Sequence, residues 1–302
     1  MSRVATIPLQ RTMSAAIQRS QEALAKTQQQ LATEKKANDY AALGTEAVRN
    51  LSTHSLQARQ DAYANVSSRI GTTLTLNDAN MGAIDTSAMS LKQGLLTAIG
   101  TGTGVGVNEA ITSAFNQFRA SLNASGGDGS LFGGSRTDGP PFLPNTLAGT
   151  IGVPASAAFA NDDVKASARL SDNVDVQYGV TASDVGSGLY AAFQTLAGAG
   201  TIGNPPTPAQ LDILSQAAAQ IDTGLTGLRS VNAENGRKQA EVETLGTRAT
   251  DRSVLLQGII SGNEDADLGQ VAIDLAQQKT MLQASYSVFS QLSGLSLVTY
   301  LH

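Results

Sequence analysis

The sequence predicts a mainly α-helical chain with a small β-rich insertion. Its long helices are expected to form an antiparallel coiled-coil rod built from both chain ends, with the inserted domain at the tip. Three observations predict this. Large apolar residues recur seven apart at both ends of the chain: Ile17, Leu24 and Leu31 near the start, and Leu268, Leu275, Leu282 and Phe289 near the finish. Between them lie two long stretches of helical period with no internal proline. Residues 125–184 break that period with a run rich in glycine and proline. A seven-residue apolar seam makes an amphipathic helix that needs a partner.

Taken in order, the first helix is expected from Pro8, a residue suited to a first helical position, to Lys35. Met13 joins its seam. Asn38, Asp39, Tyr40 and Gly44 read as a break. A long helix is expected from Thr45 to Ile99, with Leu56, Tyr63 and Ile70, then Leu74 and Met81, then Ile84 and Leu91 along one face. The steps between these sets are phase shifts of an imperfect coiled coil. Gly100–Gly106 ends the helix as a flexible linker, and a short helix follows at Asn108–Leu122.

From Ser125 a small β-rich or irregular domain is expected. Pro140 to Ala160 carries no charge, and Val174–Val180 alternates like a strand. Ser183–Gly188 reads as a turn into a helix over Leu189–Leu196. Thr207-Pro208 reads as an N-cap and first position of a helix reaching Ile260. Ser261-Gly262-Asn263 reads as the break before the final helix. The expected divisions are residues 1–43 (N-terminal assembly helix), 44–124 (rod), 125–185 (insertion), 186–262 (rod) and 263–302 (C-terminal assembly helix).

Composition narrows the function. The 302 residues include 15% charged and 4% aromatic side chains, with no Cys and no Trp. Buried contacts are therefore expected mostly from Leu, Ile, Val and Ala. Without cysteine there are no disulfides, thiolate metal sites or cysteine nucleophiles, which suits a chain entering an oxidising space. No apolar stretch of about 18 residues is present to span a membrane. The N-terminus lacks the apolar core of a secretory signal, so export would use a route that leaves it uncleaved. Residues 1–70 hold nine basic and five acidic side chains, and the rest of the chain 11 basic and 20 acidic. The ends are thus complementary in charge. The basic residues are dispersed without interleaved aromatics, which argues against nucleic acid.

No catalytic constellation emerges, and no cofactor is expected. Gly100–Gly106 lacks the third glycine spacing of a dinucleotide loop and the Gly-Lys-Ser/Thr of a phosphate loop. His54 reads as a helix-surface residue with no ligand cluster, and His302 is terminal. Glu241 and Glu243 are two apart on a helix and cannot face each other. Glu264, Asp265 and Asp267 lack calcium-loop spacing and read as acids in the first turn of the final helix, favoured there by its dipole.

The segment Asp267–Leu292, with Leu295-Ser-Leu-Val-Thr-Tyr-Leu301, resembles the C-terminal assembly helix of the bacterial flagellin superfamily. Arg11–Ser14 through Gln28–Thr33 resembles its N-terminal helix. Leu131-Phe-Gly-Gly-Ser-Arg-Thr-Asp-Gly-Pro-Pro-Phe142 is similar to a segment of the superfamily's hook–filament junction members. Glu34–Leu43 departs from the family's usual Gly-Lys-Arg and Asp-Asp-Pro pattern, which touches the first break only.

The resemblance implies a structural, non-enzymatic flagellar subunit that is extracellular and exported by the type III apparatus without signal cleavage. It implies partners among copies of itself, hook-side and filament-side flagellar proteins, and an export chaperone at the C-terminal helix, with no nucleic acid or membrane. The assembly interface expected on this basis is Met13, Ile17, Leu24, Leu31, Leu268, Val271, Leu275, Leu282, Phe289, Leu292, Leu295 and Leu297. A filament flagellin or a helical signalling rod are the alternatives.

Overall fold

The computed structural model describes residues 3–298 apart from 128 and 137, with side chains from Arg11 to Gln291, Ala42 excepted. Helix α1 spans Arg3–Thr33, and a 3₁₀ turn at Ala41–Glu46 leads into α2, Ala47–Thr101. Then come α3 (Val107–Leu122), β1 (Ser125–Gly126), β2 (Gly129–Ser130), a 3₁₀ turn at Ala148–Thr150 and the short α4, Ala155–Ala158. Strands β3 (Ala166–Ser171) and β4 (Val174–Tyr178) precede α5 (Ala182–Gly198), α6 (Pro208–Glu264) and α7 (Leu268–Val298). The chain divides into two compact units: Met1–Ala58 with Arg252–His302, and Arg59–Asp251.

In the Arg59–Asp251 unit, α2 and α6 run antiparallel. Lys92 Nζ donates to Asp222 Oδ1 (2.5 Å), Arg229 Nε to Asp85 Oδ1 (2.7 Å), Asn232 Nδ2 to Asp78 Oδ1 (2.8 Å) and Gln239 Nε2 to Thr75 Oγ1 (3.0 Å). Residue numbers rise on one helix as they fall on the other. Exposed pairs like these add little stability, but they report the register. Beneath them Met81, Ile84, Leu91 and Leu95 of α2 meet Leu214, Ile221, Leu225 and Leu228 of α6 in one buried cluster. Five of the seven residues on the face expected for the second helix are buried; Tyr63 is half-buried and Leu56 exposed.

The insertion is ordered by aromatic rings. Phe115 and Phe118 of α3, Tyr190 and Phe193 of α5, and Phe132, Phe142 and Phe159 from the loops share the same buried core. Phe118–Phe142 and Phe115–Phe193 stack edge-on, with ring centroids 5.2 Å and 5.5 Å apart, the arrangement favoured by the ring quadrupole. Aromatics are scarce in the chain as a whole but concentrated here, so the expectation of an aliphatic interior fails locally. Asn123 clamps the loop by donating to Phe142 O and accepting from Phe142 N, both at 2.9 Å. The strands form two separate antiparallel pairs, β1–β2 and β3–β4. The second covers α2 and α6: Leu170 and Val176 pack with Ile70, Leu74 and Val242 in their own cluster.

Three boundaries differ from expectation. Helix α5 begins at Ala182 rather than Leu189. Its N-cap is Thr181, whose Oγ1 accepts from Asp184 N at 3.2 Å. Gly186 and Gly188 are helical positions where a neighbour comes close: a Cβ at Gly188 would sit 2.9 Å from Gly224 Cα, and one at Gly186 would meet Leu122, Phe118 and Phe159 at 3.0 Å. Gly100–Gly106 is a tight crossing rather than a loose linker. Gly102 and Gly106 have positive φ of 66° and 78°, Gly104 lies against the backbone of Gly203, and Asn108 bonds Ile202 in both directions. Helix α6 passes through Ser261-Gly262-Asn263 and stops at Glu264. Its start is as expected: Thr207 Oγ1 accepts from Gln210 N and Gln210 Oε1 from Thr207 N, a reciprocal capping box.

Replacing Gly224 with Ala is expected to destabilise the protein by about 1–3 kcal/mol through overpacking, whereas a turn glycine at positive φ would show no such packing cost. Urea unfolding followed by circular dichroism measures it. An unchanged midpoint would remove the close-approach explanation.

Candidate assembly surface

The terminal helices lie in the Met1–Ala58/Arg252–His302 unit and pack against each other antiparallel. Gln21 Nε2 donates to Tyr286 OH at 2.5 Å, and Thr27 Oγ1 to Gln278 Oε1 at 2.9 Å. Ile17 and Val271 are buried with Thr27, while Met13, Leu24, Leu275, Leu282 and Phe289 are half-buried. Leu31 and Leu268 remain exposed, at 41% and 42%. Leu292, Leu295 and Leu297 lie outside the residues whose side chains are described. The structure therefore brings the two predicted seams together within one chain and leaves them partly open.

Very little of this unit is core. Among its described residues only Ile17, Ile260 and Val271 are buried apolar side chains. Val48 (80% exposed), Val254 (67%) and Ile273 (61%) stand in solvent, and Leu51, Leu255 and Met281 are also exposed. Exposed apolar side chains gathered over one region mark an interaction surface, whereas single ones do not.

The breaks beside these helices are joined by a polar cluster that sequence reasoning missed. Glu34, at φ 58°, ends α1, and its carbonyl accepts from Ala266 N at 2.8 Å. Lys36 N donates to Glu264 O at 2.7 Å, making an antiparallel bridge between Lys35 and Asp265. Lys35 Nζ reaches Asp265 Oδ1 at 2.6 Å and Glu264 Oε2 at 3.4 Å. Glu264 Oε1 also accepts from Asn50 Nδ2 (2.5 Å) and His54 Nε2 (2.6 Å). His54 is thus a partner of Glu264 rather than a solitary surface histidine.

Glu264 and Asp265 precede the final helix and do not occupy its first turn. Only Asp267 plays an end-of-helix role, its Oδ1 accepting from Gly269 N (2.9 Å) and Gln270 N (3.2 Å). The sequence signal available for the cluster was the pairing of Lys35-Lys36 with Glu264-Asp265, the adjacent residues in which the charge complementarity of the two ends becomes contact.

Burial is the largest influence on Glu264 and pushes its carboxyl up. The bonds from His54 and Asn50, the charge of His54 and the bond from Lys35 together outweigh it, leaving the group below its ordinary 4.5. The Lys35 bond holds Asp265 below 3.8, and the Asp265 bond holds Lys35 above 10.5. No group of three metal-ligating side chains occurs among the described residues, and no described helix is long and apolar enough to cross a membrane.

A carboxylate lowered by folding stabilises the folded state above its unfolded value and ceases to do so as pH falls through the folded one. Acidification below about 4.5 should therefore weaken this unit, and Lys35 should lose its contribution only above 10.5. Glu264→Gln is expected to cost about 1–3 kcal/mol at pH 7, because a buried amide of Asn50 loses its charged acceptor, and to be less acid-sensitive than the wild type. Thermal melts at pH 7 and pH 3.5 compare them; parallel losses would exclude Glu264 as the titrating group.

Comparison with known proteins follows this geometry. No protein-family model matches the chain. Flagellar hook-associated protein 3 of Salmonella typhimurium is 34% identical over 89 residues, 27% of this chain, and the match spans 28% of the relative's length. The fold is similar to that of a Vibrio parahaemolyticus protein described as a candidate flagellar hook-associated protein (TM-score 0.55, 15% identity, 74% of this chain and 98% of the other). It is also similar to Bacillus cereus FlgL (TM-score 0.50, 14% identity, 65% and 98%) and Xanthomonas campestris FlgL (0.55, 8%, 68% and 98%). The chain is thus similar in sequence, over part of its length, to flagellar hook-associated protein 3, and in fold to FlgL.

Proposed function

We propose that this chain is a non-enzymatic structural subunit of the bacterial flagellum, serving as the adaptor between hook and filament and assembling through its terminal helices. One observation carries the proposal: among its described residues, the unit holding both termini exposes many apolar side chains and buries few. Burying a side chain such as Leu31 or Leu268 against neighbouring subunits contributes about 1.5–3 kcal/mol, before the cost of ordering it.

On this reading Met13, Ile17, Leu24, Leu31, Leu268, Val271, Leu275, Leu282, Phe289, Leu292, Leu295 and Leu297 line the assembly interface. Most of a helix's stability comes from packing its apolar face, so neighbours that cover the open faces of α1 and α7 consolidate the ends. The long helices act as an antiparallel coiled coil with the 125–185 insertion at its tip, and the domain divisions are those expected above. The subunit is extracellular and exported without signal cleavage. Its partners are copies of itself, the hook-side and filament-side proteins, and an export chaperone that shields the C-terminal helix. The similarity to a hook-associated relative favours a junction over a filament flagellin.

Deleting residues 1–35 or 268–302 is expected to abolish filament attachment, and normal filaments from either truncation would rule out the assembly role. Electron microscopy of cells lacking the protein should show hooks without filaments. Stubs or thinned filaments would instead indicate a flagellin, as would unaided growth of the purified protein into long filaments.

A further inference from the structure

We propose that the cluster around Glu264 is a latch coupling the two helix breaks, so that α1 and α7 order and release as one body rather than independently. The break after α1 and the break before α7 lie more than two hundred residues apart in sequence, yet each supplies half of one small structure. Backbone bonds cross in both directions, Ala266 N to Glu34 O and Lys36 N to Glu264 O. Side chains add a second layer: Lys35 bridges Glu264 and Asp265, and Lys36 Nζ donates to Gly262 O at 2.6 Å. Gln30, still within α1, donates to Lys36 O at 2.8 Å and ties the helix itself to the bridge. Asn50, fully buried, and His54 anchor Glu264 from the first turns of α2.

The geometry makes the coupling reciprocal. Release of α1 withdraws Glu34 and Lys35, taking the cation from Asp265 and leaving Ala266 N unpaired beside the start of α7. Release of α7 withdraws Ala266 and Asp265 from the end of α1. A half-open latch therefore leaves backbone groups without partners and a half-buried carboxylate without its cation, each costing more than an interaction never formed. Closing the latch also sets the antiparallel start from which Thr27 meets Gln278 and Gln21 meets Tyr286, a nucleus from which helix pairing can propagate. If the ends are the assembly elements of the proposed function, on which this consequence rests, a subunit presents both or neither.

The chain has no cysteine, so a single engineered disulfide tests the latch in the full-length protein. Facing residues of an antiparallel bridge have Cα atoms about 4.5–5.5 Å apart, inside the disulfide range of roughly 4.4–6.8 Å. The double variant Lys35→Cys/Asp265→Cys is oxidised, and amide exchange is read by mass spectrometry over residues 11–33 and 268–291. Exchange in both segments should slow at least tenfold on oxidation and recover on reduction. Glu264→Ala should accelerate both segments together wherever the wild type protects them, and Lys279→Ala should affect neither. Failure of the disulfide to form, protection of one segment alone, or an oxidised form as unprotected as the reduced one would each overturn the latch. Normal flagella from a 1–35 truncation would remove the assembly role and leave this exchange result standing.

Discussion

Within the Arg59–Asp251 unit everything depends on the packing of α2 against α6. Neither helix is held by its own composition, since glycines interrupt both at Gly71, Gly82, Gly236 and Gly246, each at a cost of about 1 kcal/mol relative to Ala. Burial of Met81, Ile84 and Leu91 against Leu214, Ile221, Leu225 and Leu228, and of Leu74 with Val242, offsets that cost. The aromatic core of α3, α5 and their loops then defines where α2 ends and α6 begins. Gly188 against Gly224 allows α5 to lie close to α6, and Phe142 carries the long loop into the same core. The Leu170–Val176 hairpin covers a second patch of the same two helices. Asn77 and Asn235 are buried beside this interface, and Asn235 Nδ2 donates to Leu74 O. Such polar groups within an apolar seam favour one register over its neighbours.

The Met1–Ala58/Arg252–His302 unit follows the opposite design. The same kinds of apolar side chain occur there at the same spacing, but the four helical segments are too few to enclose them. What holds the unit is largely polar: the bridge at Lys35 and Asp265, the carboxylate of Glu264, and the hydrogen bonds along α1 and α7. A cluster of that kind specifies geometry well and contributes modestly to stability. It suits an element whose apolar surface is completed from outside.

Helix identity was readable along most of the chain because periodicity is a local property. Helices α2, α3 and α6 begin and end within a few residues of expectation, whereas α1 starts at Arg3, ahead of Pro8, and Thr207-Pro208 announced the start of α6 through chemistry intrinsic to four residues. Glycine was where reading failed. Gly186 and Gly188 have the composition of a turn, yet they sit within a helix, because what they accommodate is a neighbour distant in sequence. Gly100–Gly106 has the composition of a linker, yet it is a crossing closed by residues 202–204. Glycine has one local meaning, freedom of φ, and one tertiary meaning, room for close approach, and only the second partner distinguishes them.

The candidate surface divides the same way. The seven-residue spacing of Ile17, Leu24 and Leu31, and of Leu268, Leu275, Leu282 and Phe289, by itself determined that both ends are amphipathic helices in want of partners, and the opposite charge of the ends made each a suitable mate for the other. Only the tertiary structure decided that they pair within one chain, that the pairing leaves Leu31, Leu268 and Ile273 open, and that Glu264 belongs with Asn50 and His54 rather than with the helix that follows it. Burial and hydrogen bonding are properties of neighbours. A spacing rule describes which face of a helix is apolar, and the packed chain settles how much of that face is covered.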